Sequence, residues 1–273
     1  MSTILYPSPV FGPVQSRRLG VSLGVNLMPA DGKICSFDCL YCECGLNGER
    51  RTRTPRPTMA TVVEGLERVL RERHAAGQPL DVITFAGNGE PTLHPDFPAI
   101  IDATIALRDT YFPQAKVSVL SNATALHNPR VHAALMRVDN NIQKLDTVSN
   151  EYIDLVDRPG AGYDVERVVE ALASFEGHVI IQTMFMGGDL ILEWVGNYDD
   201  GESRIEKRDV DNTSDAYVTP WLEALRRIRP AKVMIYTIDR ETPVKGLLKT
   251  PAAVLDAIAD RVREAGFDCS VSY

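Results

Sequence analysis

Three closely spaced cysteines are the residues of this 273-residue chain that point most directly to chemistry. Cys35, Cys39 and Cys42 stand at offsets of four and three along the chain. Three thiolates on one loop can ligate three irons of a [4Fe–4S] cube and leave the fourth iron open to a further ligand. The spacing therefore predicts an iron–sulfur site in a loop over residues 30–44, which we call the cluster loop.

Zinc is the alternative metal for the same segment. Cys44 raises the number of cysteines in the segment to four, and four thiolates suit a closed tetrahedral zinc site. Paired Cys-x2-Cys knuckles are the more usual zinc pattern, so we favour iron and interpret Cys44 as a bystander. An odd total of five cysteines, three of them clustered, fits metal ligation in a reducing compartment better than a disulfide framework.

Polar and glycine-rich segments follow two of the predicted strands. After the apolar run 82–86 come Gly87, Asn88, Gly89, Glu90 and Pro91, and after the run 116–120 come Ser121 and Asn122. Glycines let the backbone approach a ligand closely, and hydroxyl and amide groups hydrogen-bond polar ligands. An ordinary turn at a strand exit is the alternative for each segment. The position of the glycine run on the strand after the cluster loop favours a binding role.

A lysine and an aspartate lie two residues apart on another predicted strand. Lys144 and Asp146 therefore point to one face of the run 141–146. An interior ion pair and a contact with the ligand are both open, and we favour a pocket role with these two residues as the catalytic candidates. His94 is a further candidate, as a proton donor.

Short apolar runs alternate with segments of helical period, which predicts repeated βα units around a parallel sheet. The strand runs are 21–27, 82–86, 116–120, 141–146, 179–184 and 232–237, and the helical segments are 61–76, 97–108, 129–137, 165–175, 216–228 and 252–265. Six units predict an α/β fold with a partial (β/α)6 barrel in a single domain over 1–273. A last run, 270–273, is expected to add an edge strand or to fix the C-terminus.

The segment 193–215 interrupts this alternation with eight acidic and three basic residues among several turn formers. It is predicted to be an acidic loop insertion after the fifth strand, at the edge of the sheet where barrel active sites lie. A substrate lid and a mobile surface excursion are both open for this segment.

Charge and composition bear on the partners. The formal net charge of −8 disfavours a nucleic-acid substrate such as tRNA, although the basic segment 50–56 follows the cluster loop directly. That segment is either a solvated loop or a contact for a phosphate group or an acidic protein. The sequence contains neither a run of apolar residues long enough to span a membrane nor a signal peptide, which predicts a cytoplasmic protein without a membrane partner.

Taken together, the Cys-x3-Cys-x2-Cys loop with Tyr41 before its last cysteine and the Gly-Asn-Gly-Glu-Pro-Thr run resemble the radical S-adenosylmethionine (SAM) superfamily. The resemblance implies one [4Fe–4S] cluster on Cys35, Cys39 and Cys42, with SAM as the ligand of the open iron. It implies a SAM contact at Tyr41, a methionine-binding role for residues 87–91 and contacts from Ser121 and Asn122 to the ribose or the carboxylate. The implied reaction is reductive cleavage of SAM to a 5′-deoxyadenosyl radical, which abstracts a hydrogen atom from an unknown substrate.

Within the superfamily, the chain resembles the wyosine-type tRNA-modifying oxidoreductase branch and its uncharacterised bacterial relatives. The matching stretches are 12–14, 16–20, 23–26, 182–185 and 236–240. This branch implies a Schiff-base lysine, for which Lys33, Lys144 and Lys245 are the candidates, and an electron donor such as flavodoxin or ferredoxin. The expected substrate is a small molecule or nucleotide; the alternatives are an activase or modifier of a protein partner and a non-catalytic metal-binding module.

Overall fold

The computed structural model describes residues 3–16, 20–194 and 204–273. The strands are β1 (Val10–Ser16), β2 (Gly20–Val25), β3 (Val82–Phe85), β4 (Lys116–Ser121), β5 (Asn140–Lys144), β6 (Ile180–Met184), β7 (Met186–Trp194), β8 (Arg204–Asp209), β9 (Lys232–Tyr236), β10 (Leu247–Lys249) and β11 (Cys269–Ser272). The helices are α1 (Met59–Ala75), α2 (Phe97–Tyr111), α3 (Pro129–Leu135), α4 (Asn150–Val156), α5 (Val165–Ala173), α6 (Asp215–Ile228) and α7 (Ala252–Glu264).

Eight strands form the main sheet of the described residues, in the order β1-β2-β3-β4-β5-β6-β9-β11. All neighbours from β2 to β11 are parallel, and β1 runs antiparallel to β2. β1 and β11 are the two edges, so the sheet is an open, partial barrel, and the predicted α/β fold class is confirmed. The loops that follow the parallel strands meet at one end of this barrel, which is where the predicted site lies.

Every predicted strand run and helical segment overlaps an element of the predicted type, and 270–273 falls in the edge strand β11. The sequence analysis missed β1, β7, β8, β10 and α4. Gly12 and Pro13 in β1 are typical of a turn rather than of a strand. In the structure, the pairing of β1 with β2 shifts its register between Phe11 and Val14. The seven residues of α4 are too few to show a helical period.

The prediction of a continuous loop over 193–215 is wrong for the described part of that segment. β7 and β8 pair antiparallel from Asp189 opposite Asp209 to Trp194 opposite Arg204, and β10 lies on the other side of β7. Strand pairing outweighs the polar composition here, because charged residues are well tolerated on the edge strand of a small sheet. Residues 195–203 of this segment lie outside the described residues, as do Arg17, Arg18 and Leu19 of the matching stretch 16–20.

The buried apolar residues form two clusters, and the smaller one holds the cluster loop in place. The larger lies between the sheet and its covering helices; α1, for example, buries Val62, Leu66 and Leu70 at a spacing of four. The smaller packs the cluster loop against α4 and the small sheet through Leu40, Tyr152, Val156, Met186, Leu190 and Val210. The loop is therefore anchored by apolar contacts that are separate from the main core.

The segment before β1 is tied to the same end of the barrel. Ile4 N donates to Glu43 O at 2.9 Å, and Tyr6 N donates to the side-chain oxygen of Asn88 at 2.8 Å. Asn26 N donates to Pro9 O at 2.9 Å. The N-terminal segment thus connects the cluster loop to the ends of β2 and β3. In the part of the chain that the structure describes, no helix has the length and apolar character needed to cross a bilayer.

Candidate iron–sulfur and cofactor site

The cluster loop is braced by backbone hydrogen bonds on two sides. At its start, Ile34 N donates to Asn88 O at 3.1 Å, and Glu90 N donates to Ile34 O at 3.0 Å. Further along, Leu40 N donates to Val156 O at 2.9 Å, at the end of α4. The loop is thus held between the glycine run after β3 and the C-terminal end of α4, which fixes the backbone that carries the three cysteines.

The three thiols of the cluster loop lie within electrostatic reach of one another. Desolvation raises the pKa of Cys35 to about 12 and raises the pKa of Cys39 well above its usual value. Among the described residues, no three His, Cys, Asp or Glu side chains are already gathered as a metal site. Iron binding would therefore displace protons from Cys35 and Cys39.

Lys33 supplies a positive charge beside these thiols. Its side chain is buried, and its Nζ donates to Gly45 O at 2.8 Å and lies 3.6 Å from the carboxylate of Asp38. Burial opposes the charge, yet the pKa of Lys33 is raised because the thiolates of the cluster loop, Cys42 first, attract it. A buried ammonium held in this way stabilises negative charge on the thiolates. Its contact with Gly45 also fixes the end of the loop.

Gly87 and Gly89 have backbone conformations and contacts that exclude a side chain. Their φ angles are +132° and +131°. A Cβ atom at Gly89 would lie 1.9 Å from Ile34 O, and one at Gly87 would lie 2.8 Å from the side chain of Asn26. The close approach that glycine permits is therefore used for contacts between two segments of the protein, and it places the glycine run directly against the cluster loop.

Asn88 and Glu90 turn their side chains into the protein. The Asn88 amide donates to Tyr6 O at 2.9 Å and to Pro29 O at 2.8 Å, and Asn88 is fully buried. The carboxylate of Glu90 accepts from Thr92 N at 3.0 Å and from Asn122 N at 2.7 Å. Burial raises the pKa of Glu90, and these hydrogen bonds oppose the rise. Pro91 is buried and begins the short 3-10 turn Pro91–Leu93.

Ser121 and Asn122 lie at the end of β4, next to the cluster loop. Ser121 Oγ accepts from Ala123 N at 3.1 Å. The Asn122 amide donates to Ser36 Oγ at 2.9 Å and lies 3.6 Å from Cys35 Sγ. The structure thus brings the end of β4 next to the glycine run and the first cysteine of the cluster loop.

A buried charge network lies on the other side of the loop. The Lys144 ammonium contacts Tyr41 Oη and the carboxylates of Asp146 and Asp157, with the Asp157 contact at 2.9 Å. The Tyr41 hydroxyl donates to Asp146, and both carboxylate side chains are 2% exposed. Burial opposes the charge on Lys144, yet its pKa is raised well above the usual value by the two carboxylates. Burial raises the pKa of Asp157 to about 6 despite the nearby ammonium.

Two cavities lie inside the barrel and share Cys42 in their walls. One, of 590 Å³, is also lined by Cys44, Gly87, Gln182 and the aromatic ring of Tyr6. The other, of 260 Å³, is lined by Tyr41 and by residues that follow β9. Cys42 and Gly87 of the glycine run therefore line one cavity, which leaves room for a ligand of an open iron.

The match to a protein-family model decides the class of this site. Residues 31–195, more than half of the chain, match the model described as the radical SAM superfamily. The chain belongs to the radical SAM superfamily. Radical SAM proteins bind a [4Fe–4S] cluster and SAM, and the three thiols beside a buried ammonium fit the donor set of such a cluster.

Two curated relatives are similar to most of this chain. A protein named GTPase Obg from Brachyspira hyodysenteriae is 30% identical over 85% of this chain and 30% of its own length. The UPF0026 protein of Helicobacter pylori is 29% identical over 86% of this chain and 68% of its own length. The chain thus spans less than a third of the first relative, and the name of the second states no reaction.

A solved structure shares the fold of this radical SAM chain. The radical SAM methyltransferase from Sphaerobacter thermophilus superposes with a TM-score of 0.64, at 16% identity, over 92% of this chain and 66% of that chain. At this identity the likeness concerns the fold alone. It agrees with the open, partial barrel described above.

Not every predicted site residue reaches the cavities of this radical SAM barrel. Tyr41, Cys42 and Gly87 line them, whereas Lys144 and Asp146 are not among the residues that line these two cavities. Lys245 is exposed on the surface. Of the Schiff-base candidates, Lys33 and Lys144 are held in ion pairs, as described above, and no lysine stands among the described residues that line these two cavities.

Three residues that the sequence analysis did not single out support the radical SAM site. Asp157 completes the network around Lys144, and Asn26 contacts the glycine run through its side-chain oxygen, which accepts from Asn88 N at 3.2 Å. Tyr6 lines the larger cavity. Of these three residues, only Asn26, just after a strand, gave a signal in the sequence.

His94 was a further candidate, as a proton donor. In the structure its ring accepts a hydrogen bond from Asp96 N at 3.1 Å and contacts Pro57 O at 2.9 Å.

A substitution of Cys44 tests which cysteines of this radical SAM chain ligate the cluster. It is buried, its Sγ donates to Gly87 O at 3.3 Å, and its hydrogen bond to Cys42 is the main cause that lowers the pKa of Cys42 to about 6. We expect Cys44→Ser to retain the iron of the wild-type protein, because a serine hydroxyl can donate the one hydrogen bond that the thiol gives to Gly87 O. Iron content after anaerobic reconstitution measures this. Loss of iron in Cys44→Ser, alongside full retention in a Cys269→Ser control, would instead make Cys44 a ligand.

Proposed function

We propose that this radical SAM enzyme acts on a small molecule or a nucleotide bound inside the barrel. The observation that carries the proposal is the 590 Å³ cavity, whose wall contains Cys42 of the cluster loop and Gly87 of the glycine run. A cofactor held by both segments would occupy one end of this space. The remainder would accommodate a substrate of limited size.

The proposed roles of the residues follow from where they lie. Cys35, Cys39 and Cys42 would hold the cluster, which when bound supplies the electron for reductive cleavage of SAM. The backbone of residues 87–91 would border the methionine part of SAM. Ser121 and Asn122 would position polar groups of the cofactor from the end of β4. Tyr41, which lines the smaller cavity, would contact SAM.

The residues that line the interior of the barrel favour a substrate with little charge. Its wall includes Ser22 and Thr84, whose hydroxyls lie 2.9 Å apart, together with apolar Ile142 and Met234 and the amide of Gln182. Such a surface offers neutral hydrogen-bonding groups and apolar contact area. It would suit an uncharged heterocycle or a small amide better than a polyanion, which agrees with the net charge of −8.

Charge is confined to the side of the cavity near the cluster loop. Arg240 Nη1 donates to Glu43 Oε2 at 2.7 Å and to Tyr6 Oη at 3.4 Å. This contact connects the loop after β9 to the cluster loop. Arg240 is the one basic side chain among the described residues that line this cavity, and it would have to exchange Glu43 for a ligand carboxylate or phosphate in order to bind one.

The test of the proposal is anaerobic reconstitution with iron and sulfide, reduction with dithionite, and assay of 5′-deoxyadenosine from SAM. We expect 5′-deoxyadenosine from the wild-type protein and none from a Cys35→Ala, Cys39→Ala, Cys42→Ala triple variant. A metabolite extract of low molecular mass should then increase the rate, and a purified tRNA fraction should not. A protein that binds zinc and no iron, or an increase produced only by a protein fraction, would support the metal-binding or the activase alternative instead.

A further inference from the structure

One ion pair borders both barrel cavities. Arg240 Nη1 donates to Glu43 Oε2 at 2.7 Å, and both residues line the 590 Å³ cavity and the 260 Å³ cavity. The side chains of Arg240 and Glu43 are 49% and 44% exposed. An ion pair this exposed contributes little to stability, because solvent screens the two charges. The contact can therefore break and form again at little cost while the fold stays intact.

Arg240 has a second hydrogen-bond partner in the wall of the larger cavity. Its Nη1 also donates to Tyr6 Oη at 3.4 Å. The backbone of Tyr6 is fixed by Asn88, because Tyr6 N donates to Asn88 Oδ1 at 2.8 Å and Tyr6 O accepts from the Asn88 amide at 2.9 Å. Tyr6 can therefore hold the guanidinium at the cavity wall when Glu43 no longer contacts it.

Release of the Glu43 side chain leaves the backbone of the cluster loop in place. Ile4 N donates to Glu43 O at 2.9 Å, and Gly45 N donates to Cys42 O at 2.9 Å. These hydrogen bonds fix the backbone on both sides of the Glu43 side chain. A ligand that replaces the Glu43 carboxylate on Arg240 therefore displaces one side chain and no backbone segment.

The rest of the larger cavity suits an uncharged ligand body with a flat or apolar surface. The rings of Tyr6 and Phe11 line it, with their centroids 4.6 Å apart. Phe11 is seated against β2, since a Cβ atom at Gly24 would lie 2.2 Å from its ring. Asp239 also lines the cavity, so a ligand with two negative charges is less suited to it than a ligand with one.

We propose that Arg240 binds the carboxylate of a substrate whose remaining part is uncharged, and that Glu43 occupies this position until the substrate displaces it. The inference rests on the proposed function and adds the charge that the substrate carries. One carboxylate replaces another on the guanidinium, so binding leaves no unpaired charge there. Arg240 is then a specificity-determining residue, and Glu43 competes with the substrate for it.

The experiment measures the binding of two probes that share a ring and differ in charge, benzoate and benzamide. The reconstituted enzyme is saturated with SAM and kept without reductant, and both affinities are measured by ligand-detected NMR titration. Arg240→Gln should weaken benzoate binding roughly tenfold, because a hydrogen bond to a charged group is lost. Glu43→Gln should strengthen it by roughly two- to fivefold, because an exposed ion pair that competes for Arg240 is removed. The affinity for benzamide should stay the same in both variants.

A matched ion pair elsewhere in the chain provides the control. Arg261 Nη1 lies 2.7 Å from Asp215 Oδ1 and joins α7 to α6. Neither residue lines the two barrel cavities. Arg261→Gln and Asp215→Asn break an exposed contact of the same length and should leave the affinity for benzoate unchanged.

The opposite directions of the two expected effects separate ligand binding from a structural role. If the ion pair only stabilised the fold, Arg240→Gln and Glu43→Gln would change the affinity for benzoate in the same direction, and this result would overturn the proposal. No detectable benzoate binding by the wild-type protein and Glu43→Gln would also overturn it, as would an affinity that neither substitution changes. Phenyl phosphate bound more tightly than benzoate would overturn the assignment of a carboxylate.

Two further measurements separate this inference from the cofactor site and from the proposed function. Weaker binding of SAM by Arg240→Gln, with benzoate binding unchanged, would assign Arg240 to the cofactor and overturn the inference. The probe titrations require no turnover, so their outcome does not depend on the assay of 5′-deoxyadenosine. Absence of 5′-deoxyadenosine from the reduced wild-type protein would refute the proposed function, and with it the substrate role of the bound carboxylate.

Discussion

Gly89→Ala is expected to lower the free energy of unfolding by about 3 kcal/mol or more, since a strained backbone and an overpacked contact each contribute roughly 1–3 kcal/mol. The added Cβ atom would lie 1.9 Å from Ile34 O and 2.5 Å from Ile34 C, and the φ angle of +131° is rare for alanine. Backbone atoms cannot rotate away from the clash. The two hydrogen bonds that join Ile34 to Asn88 and Glu90 must therefore break, and the start of the cluster loop would separate from β3.

Two other glycines separate the clash from the backbone strain. Gly77 has a φ angle of +63° and no atom within 4 Å of a built Cβ, so Gly77→Ala should show strain alone, about 1 kcal/mol. Gly48 has open space around it as well, with an ordinary φ angle, and Gly48→Ala should be close to neutral. Urea unfolding of the iron-free proteins gives the three free energies, and iron content after reconstitution gives the effect on the site. A Gly89→Ala protein as stable as Gly77→Ala would contradict the prediction.

The sequence predicted those parts of the site that depend on neighbours along the chain. Cys35, Cys39 and Cys42 lie on one loop, so their spacing carries the ligand pattern without knowledge of the fold. Gly87 and Gly89 follow a buried strand, and their type alone indicates a close approach of two backbones. The six strand runs were recognisable for the same reason, because strands buried on both faces are short, continuous apolar runs.

The parts that could not be predicted depend on pairs of residues far apart in the chain. The Asn88 amide contacts Tyr6 and Pro29, which are distant in the chain, and no local pattern indicates this. Asp157 ends a helix too short for a periodic signal and meets Lys144 only in the folded chain. β7 and β8 were missed because the pairing of their backbones, rather than their side chains, makes them strands.

Lys144→Met is the second substitution with a large expected effect. It would leave the carboxylates of Asp146 and Asp157 buried without the ammonium that neutralises them, beside the loop that carries Cys39. Removing one partner of a buried ion pair lowers the free energy of unfolding by about 3–5 kcal/mol. The extra negative charge should also make the reconstituted cluster harder to reduce, because an anion disfavours the addition of an electron nearby. Urea unfolding and a redox titration monitored by EPR measure the two effects.

A paired variant separates this positioning role from covalent catalysis. Lys144→Met combined with Asp157→Asn removes one positive and one negative charge, so the network keeps the single negative net charge that it has in the wild-type protein. If Lys144 acts through the position and charge of the cluster loop, the double variant should recover stability, iron content and reduction potential relative to Lys144→Met alone. It should also cleave SAM to 5′-deoxyadenosine without substrate. If Lys144 instead forms a covalent bond with substrate, the double variant would cleave SAM normally and yet show no substrate-dependent increase in rate. The buried contacts of Lys144 with Tyr41, Asp146 and Asp157 favour the first result, because a lysine held by two carboxylates stays protonated and is a poor nucleophile.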